Sequence, residues 1–422
     1  MSSRASELDH ANPHALAVIV EASTKRTIVA SQDIVDERGV KLWARGQLVS
    51  ETLQQRLLER KLKQPLEASL QAAEGVDGRE LQAAAETFLL SDNPVAKGLM
   101  PWSAQLIGEV ANLSVQSVAQ LMLTAAQAAR PGVFDHAVRG MVLAGAMALD
   151  SGGDHNQLQL ALMAGLLHDL GEMYVDPTYL NASQPLDVNG YRHLLVHPRI
   201  GAMLLGQLAK YPPAVARAVS EHHERLDGSG YPGRLAGAAI SPLGRLLSVM
   251  ETTLGITGSA HARAPWAHAS FALRMVPGEF DGAAVGFVSA TAHRANENLS
   301  TPEPVSAESL SLVDGRLAAA LLQAEQIGQT TSSPPVKAVA QRAGHLLLRL
   351  RIGWNAMGLW AAPATEEAPD TDFEMWLAQR ELAYRMRFIR RECLWAEKDQ
   401  SAADGEALAP LWAHLEPGHK AV

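Results

Sequence analysis

Cysteine is nearly missing from this 422-residue chain. Cys393 stands alone, which excludes an intrachain disulfide framework and any thiolate-rich zinc site. Aromatic residues are scarce as well, at 5%, so the core must be aliphatic, and the Ala- and Leu-rich runs point to helix. Positive charge is not in excess. Lys and Arg number 36 against 45 Asp and Glu, a formal net charge of −9, so no electrostatic surplus draws the chain to nucleic acid. Long apolar runs are missing too: no window approaches about 18 uninterrupted apolar residues, and the opening MSSRASELDHANPH lacks the apolar stretch of a signal peptide. These absences predict a soluble, cytoplasmic protein with no membrane span. What is present is globular composition, 47% hydrophobic and 19% charged, together with fifteen histidines.

At about 150 residues per domain, the length predicts two or three units. RTIVASQDIV (26–35), the turn-like DERG (36–39) and VKLWARGQLV (40–49) predict a hairpin. SETLQQRLLERKL then places Leu53, Leu57, Leu58 and Leu62 at helical spacing behind a Ser N-cap. Residues 1–95 therefore form a small α+β module, closed by SDNP (91–94). Beyond it, helices are predicted at 103–129, 135–149, 156–172, 189–208, 212–223 and 241–256. Pro131-Gly132, Ser151-Gly152-Gly153, Pro212-Pro213 and DGSGYPG (227–233) separate them. Linker-like NENLSTPEPVSAES (296–309) ends a helical segment, 102–295. A helical C-terminal extension, 296–422, is interrupted at TTSSPP (330–335) and APATEEAPDTD (362–372). The basic amphipathic stretch 373–399, with Trp376, Leu377, Tyr384, Phe388, Ile389 and Trp395, has the pattern of a membrane-, nucleic-acid- or partner-binding helix, but is expected to pack on 345–360 with its arginines solvated. The fold class is mainly α. No helix-turn-helix, Walker or dinucleotide-binding glycine pattern occurs, which leaves no sequence support for a DNA-binding or ATPase reading.

Histidine placement carries the functional content. Seven fall between positions 136 and 223: His136, His155, His168, His193, His197, His222 and His223. An even spread would put about three there. His168-Asp169 ends the apolar run LALMAGLLHDLGE, where an ionisable pair is costly unless paired or bound to a cation. His222-His223 closes another helix just before the Gly-rich loop. One imidazole or adjacent pair per helix, spaced about 25 to 32 positions apart, suits a bundle that aims ligands at a common centre. Imidazole with carboxylate suits Fe, Mn, Zn or Ni, and the natural chemistry of such a pair of ions is hydrolysis at phosphorus. His155, His10, His14, His261, His268, His293, His345, His414 and His419 are read as ordinary core or surface residues.

HDLGE (168–172), followed 54 residues later by HHERLDGSGYP (222–232), resembles the HD-GYP subgroup of HD-type metal-dependent phosphohydrolases. The resemblance extends to DHAVRGMVLA (135–144), HPRIGAMLL (197–205), AAISPLGRLLSVMETTLGI (238–256) and VPGEFDGAAVGFV (276–288), covering about 115–290. The module around 26–62 is more weakly similar to a segment found before many such domains. The resemblance implies an HD-type helical bundle that opens cyclic di-GMP to pGpG or GMP in bacterial second-messenger signalling, using two or three divalent metal ions, often Fe or Mn, with other transition metals open. It implies His136, His168, Asp169, His197, His222 and His223 as ligands, with Asp169 bridging. It also places the Gly230-Tyr231-Pro232 loop beside the site, at the nucleotide pocket or a signalling-protein contact. A homodimer is left open.

Three positions depart from that family pattern. Glu251 stands where the last ligand is usually Asp, and its extra methylene moves the oxygen by about 1 Å. Glu172 replaces the lysine of HDxGK, which removes a cation near phosphate. After Glu251, GITGSAHARAPW (255–266) offers only Arg263. Arg199, Arg225 and Arg245 are candidate phosphate clamps or surface ion pairs. Tyr231 either stacks on a guanine or packs its loop, and His193 either moves a proton beside the site or lies on the surface. The candidate catalytic residues are thus Asp169, His193 and Arg225. The rival readings are a weakened domain serving as a cyclic di-GMP sensor or interaction module, and an HD-type hydrolase of another phosphoester.

Overall fold

The computed structural model describes residues 10–57, 60–180, 187–258, 263–299, 307–358, 369–394 and 401–416. Among them the chain is mainly helical, as expected, with four short strands. It packs as two compact units, one of Met1–Ala182 with His193–Leu254 and one of Ser183–Arg192 with Gly255–Val422.

In the first unit, α1 (Pro13–Ser23) is capped by Asn12, whose side-chain oxygen accepts the amides of His14 and Ala15, and it buries Leu16 and Ile19. Then come β1 (Ile28–Ala30), β2 (Ile34–Val35), β3 (Lys41–Trp43), α2 (Glu51–Leu57) and β4 (Leu70–Ala72). The predicted hairpin forms only in part. β2 and β3 pair antiparallel, with Ile34 opposite Trp43, and Asp36 holds their turn by accepting the amides of Arg38 and Val40. β1 turns away at residues 31–33 and pairs with β4 instead, Ile28 opposite Ala72. α2 ends before Leu62, which forms an isolated bridge with Asp36, and Leu58 lies outside the described residues.

α3 (Gly78–Leu89), α4 (Pro94–Gly98), α5 (Ser103–Val110) and α6 (Ser117–Ala129) follow. The helix predicted over 103–129 is thus two, parted where the Gln116 amide donates to the Tyr211 hydroxyl. α7 (Pro131–Asp150), α8 (His155–Leu167), α9 (Val188–Met203), α10 (Pro213–Glu221) and α11 (Pro242–Thr257) match the predicted helices to within a few residues at most ends. α7 lies against α8 at paired glycines. A Cβ on Gly140 would stand 2.6 Å from the Gly165 carbonyl oxygen, and one on Gly165 would stand 2.5 Å from that of Gly140. That approach is what puts His136 and His168 on one side of the pair. α7 is long and apolar enough to cross a bilayer, but most of its apolar window is buried inside this unit.

The second unit holds α12 (Pro265–Arg274), α13 (Gly282–Ala295), α14 (Ala307–Thr330), α15 (Pro334–Met357), α16 (Pro369–Leu394) and α17 (Ala402–Leu415). α15 packs on α16 as predicted; residues 359–360 and 395–399 of those stretches, Trp395 included, lie outside the described residues. Residues 259–262, 300–306, 362–368 and 417–422, which carry His261, His419 and most of the two linker stretches, do too. Leu317, Leu347, Phe373, Leu377 and the lone Cys393 are among the buried core. The arginines of α16 are not all solvated. Arg385 is buried, pairing with Glu279 at 2.6 Å and Glu381 at 2.8 Å and donating to the Ala272 carbonyl. Buried, a guanidinium needs several acceptors, and α16 sits where α12 and the 276–281 turn supply them.

Candidate metal centre

α8 and α10 both end at the same place, and a helix end leaves carbonyls without donors. His168, the C-cap of α8, turns its Nδ1 back to the Gly165 carbonyl at 2.8 Å. His222, the C-cap of α10, does the same to Val219 at 2.6 Å. In α9 the vacancy arises differently. Pro198 has no amide, so the Leu194 carbonyl lacks its helical donor, and His197 Nδ1 takes it at 2.6 Å. A carbonyl only accepts, so each Nδ1 carries a proton and each ring offers Nε2 inward. The ends of α8 and α10 also bring the negative ends of their dipoles to this point, which favours a cation there.

The inward atoms converge in two groups, each within 4.8 Å: His136, His168, Asp169 and Glu251, and Asp169, His197, His222 and His223. Asp169 belongs to both. Its Oδ2 lies 3.2 Å from His136 Nε2 and 3.1 Å from His168 Nε2, while its Oδ1 lies 3.2 Å from His222 Nε2 and 3.6 Å from His197 Nε2. Glu251 Oε2 reaches His168 Nε2 at 3.1 Å and His136 Nε2 at 3.3 Å, so the extra methylene does not carry it out of the first group. The His136 and His168 nitrogens are 3.2 Å apart, as are those of His197 and His222.

This donor set fits metal ions. Asp169 Oδ1 is buried and makes no hydrogen bond, and neutral imidazole nitrogens facing one another at such distances need a cation between them. Without one, protons take that part. Burial works against the charged form of His136, but Asp169 and Glu251 raise its pKa to about 10, and the same two carboxylates raise His168 well above its usual value. Burial would raise Asp169, yet the charge of His168 and the imidazoles of His136 and His168 beside it hold it well below the carboxylate range. Burial pushes His222 down and His223 further, which keeps both in the neutral form that binds metal.

Two carboxylates beside the histidine pair hold the walls. Glu224 accepts the amides of Gly233 at 2.5 Å and Leu235 at 2.9 Å, pinning the 227–235 loop. Glu221 accepts the amide of Ser241 at 2.9 Å and its hydroxyl, fixing the start of α11 and so the helix that carries Glu251. Sequence reasoning assigned neither; their signal was an acidic residue on each side of His222-His223. Gly230 folds so close that a Cβ would lie 2.4 Å from the His223 carbonyl oxygen. Tyr231 is buried with its ring stacked on His223, centroids 4.5 Å apart, so one face is already taken by the site itself.

The remaining candidates are placed as follows. Glu172 lines the site; burial and then the charge of Asp169 push its carboxyl up to about 7. Arg225 donates to Ser248 at 2.8 Å and Thr252 at 3.0 Å, the residues of α11 that bracket Glu251. Arg245 is bound to the Ile240 and Gly237 carbonyls, and Arg199 and Arg263 are exposed. His193 is also exposed and stacks on Tyr179 at 5.2 Å; neither metal group includes it.

Residues 120–272 match a family described as HD domain. The chain is 36% identical over 121 residues to the cyclic di-GMP phosphodiesterase PA4108 of Pseudomonas aeruginosa, a match covering 28% of this chain and 29% of that one. It is 28% identical over 143 residues to 3′3′-cGAMP-specific phosphodiesterase 1 of Vibrio cholerae, covering 34% and 33%. It is 30% identical over 125 residues to the cyclic di-GMP phosphodiesterase response regulator RpfG of Xanthomonas campestris pv. campestris, covering 29% and 33%. The chain therefore spans about a third of the length of these curated relatives.

Proposed function

Residues 120–272 belong to the HD domain family, in its HD-GYP branch, and from that premise we propose that this chain is a metal-dependent phosphodiesterase of cyclic dinucleotides, with cyclic di-GMP as substrate. The observation that carries the reading is the convergence of two ligand groups on a shared Asp169. His136, His168 and Glu251 would hold one ion with Asp169, and His197, His222 and His223 the other. When bound, two divalent ions such as Fe or Mn supply water activation and neutralise charge that builds at phosphorus. The chain's own part is orientation. Backbone carbonyls lock His168, His197 and His222, the two oxygens of Asp169 face opposite groups, and Glu221 and Glu224 keep α11 and the loop in place. Arg225, anchored on α11 beside Glu251, is the candidate to steady a phosphate, and Tyr231 stacks on His223. The reading takes 1–95 as an input module, 102–295 as the hydrolase segment and 296–422 as an extension, in a signalling protein of the bacterial second-messenger type.

The test is product chromatography after anaerobically purified, Fe- or Mn-loaded protein meets cyclic di-GMP, with 3′3′-cGAMP run beside it. Linear pGpG or GMP is expected, and none from a protein carrying both His168→Ala and Asp169→Ala. Full turnover by that double variant would refute the metal mechanism. Intact cyclic di-GMP with metal bound would instead assign the sensor role. Faster opening of 3′3′-cGAMP would reassign the substrate within the class.

A further inference from the structure

Asp169 and Glu172 sit on or beside a five-residue 3-10 turn, Leu170–Tyr174, and that turn is gripped from both ends. At its start, Gly171 faces the His197 carbonyl so closely that a Cβ would lie 2.0 Å from the oxygen. At its end, Tyr174 is held twice by the N-terminal module. Its hydroxyl donates to Glu67 Oε1 at 2.6 Å, and its carbonyl accepts from Asn12 Nδ2 at 3.2 Å. Glu67 is 4% exposed and Tyr174 5%. Packing alone would be served by apolar side chains, since burying a carboxyl and a phenol is costly unless they bind each other. Asn12 at the same time caps α1, so the position of that helix is written into the hydrogen bond it makes to Tyr174.

We propose that Glu67 and Tyr174 are a positioning pair through which the N-terminal module sets the turn carrying Asp169 and Glu172. This rests on the metal-centre reading above. The turn spans on the order of 10 Å, at about 2 Å per residue, and it is too short to absorb a shift at Tyr174 without passing it to Asp169. The bonded pair therefore acts on the centre as outer partners of metal ligands do, by fixing where the ligand oxygens point. Whatever alters the module at α1 or at Glu67 alters the site by this route.

The full chain is tested as Tyr174→Phe, Glu67→Leu, Glu67→Gln and Asn12→Ala, with Mn2+ affinity measured by equilibrium dialysis, thermal melting followed alongside, and kcat and KM for cyclic di-GMP. Tyr174→Phe and Glu67→Leu are expected to weaken Mn2+ binding about tenfold and to lower kcat, with KM held within about twofold. Glu67→Gln keeps an acceptor and should restore most of the affinity. Unchanged Mn2+ affinity in Tyr174→Phe and Glu67→Leu would overturn the proposal, even with a lowered melting temperature, because a merely structural pair moves only the latter. A Glu67→Gln protein as weak as Glu67→Leu would overturn it too. Should either core variant fail to fold, Asn12→Ala decides: weaker Mn2+ binding supports the pair's route, and unchanged binding refutes it. If the wild type opens no cyclic dinucleotide, the phosphodiesterase reading fails while the Mn2+ affinities still judge this one.

Discussion

Each of the two Asp169 oxygens faces a different histidine group, so the charge of one residue would serve both proposed ion positions. Asp169→Asn keeps the shape and removes the charge; Mn2+ content measured after dialysis should fall at both positions. Glu172 offers the opposite test. Burial and then Asp169 push its carboxyl up to about 7, beside the place where the proposed substrate's phosphate would approach. Glu172→Lys should raise cyclic di-GMP turnover about tenfold, since one well-placed cation stabilises charge in the transition state. An unchanged rate would locate the limiting defect elsewhere in the pocket. At this scale the histidines were legible because an ionisable pair ending an apolar helix stands out from its neighbours. Glu221 and Glu224 were not, because an acid at a helix end resembles a solvated one until the loop amides that it accepts are in view. The sharing of Asp169 is likewise a three-dimensional fact, set by how the ends of α8 and α10 meet residues within α7, α9 and α11.

Helices survived translation from sequence better than strands did. α7, α8, α10 and α11 are marked by apolar runs and clear Pro or Gly punctuation, which is local information. The break between α5 and α6 is not, since the Tyr211 hydroxyl that marks it lies 95 residues away. The pairing of β1 with the three-residue β4 is equally non-local. A second element-scale feature is the buried pairing of Arg385 with Glu381 on α16 and with Glu279 from the 276–281 turn. Burial would raise Glu381, but His268 and then Arg385 hold it below its usual 4.5. Its folded pKa is depressed, so its contribution to stability is whole above about 4.5 and is lost as the pH falls through the lower folded value. Melting curves of wild type and Glu381→Gln between pH 7 and pH 3 should therefore converge in acid. Arg385→Leu at neutral pH strands two buried carboxylates and should cost about 3–5 kcal/mol.

For the whole molecule, donor groups that converge only in the fold would make the proposed metal binding part of stability. Stripping metal with a chelator should lower the melting transition of the histidine-bearing unit, and restoring Mn2+ to about a hundred times its dissociation constant should return about 2.7 kcal/mol. The His168→Ala, Asp169→Ala protein should show no such shift, which calorimetry would register directly. The path of the chain between its two units has a further bearing on modularity. α9 begins in residues grouped with the C-terminal unit and ends with His197 in the other. Its Tyr191 hydroxyl donates to Glu392 at 2.5 Å, deep in the C-terminal unit. The family match ends at residue 272, yet a chain cut there would strip the partner from the front of the helix that carries His197. The histidine-bearing segment is therefore not a transplantable cassette: its borders in homology and its borders in packing are different lines.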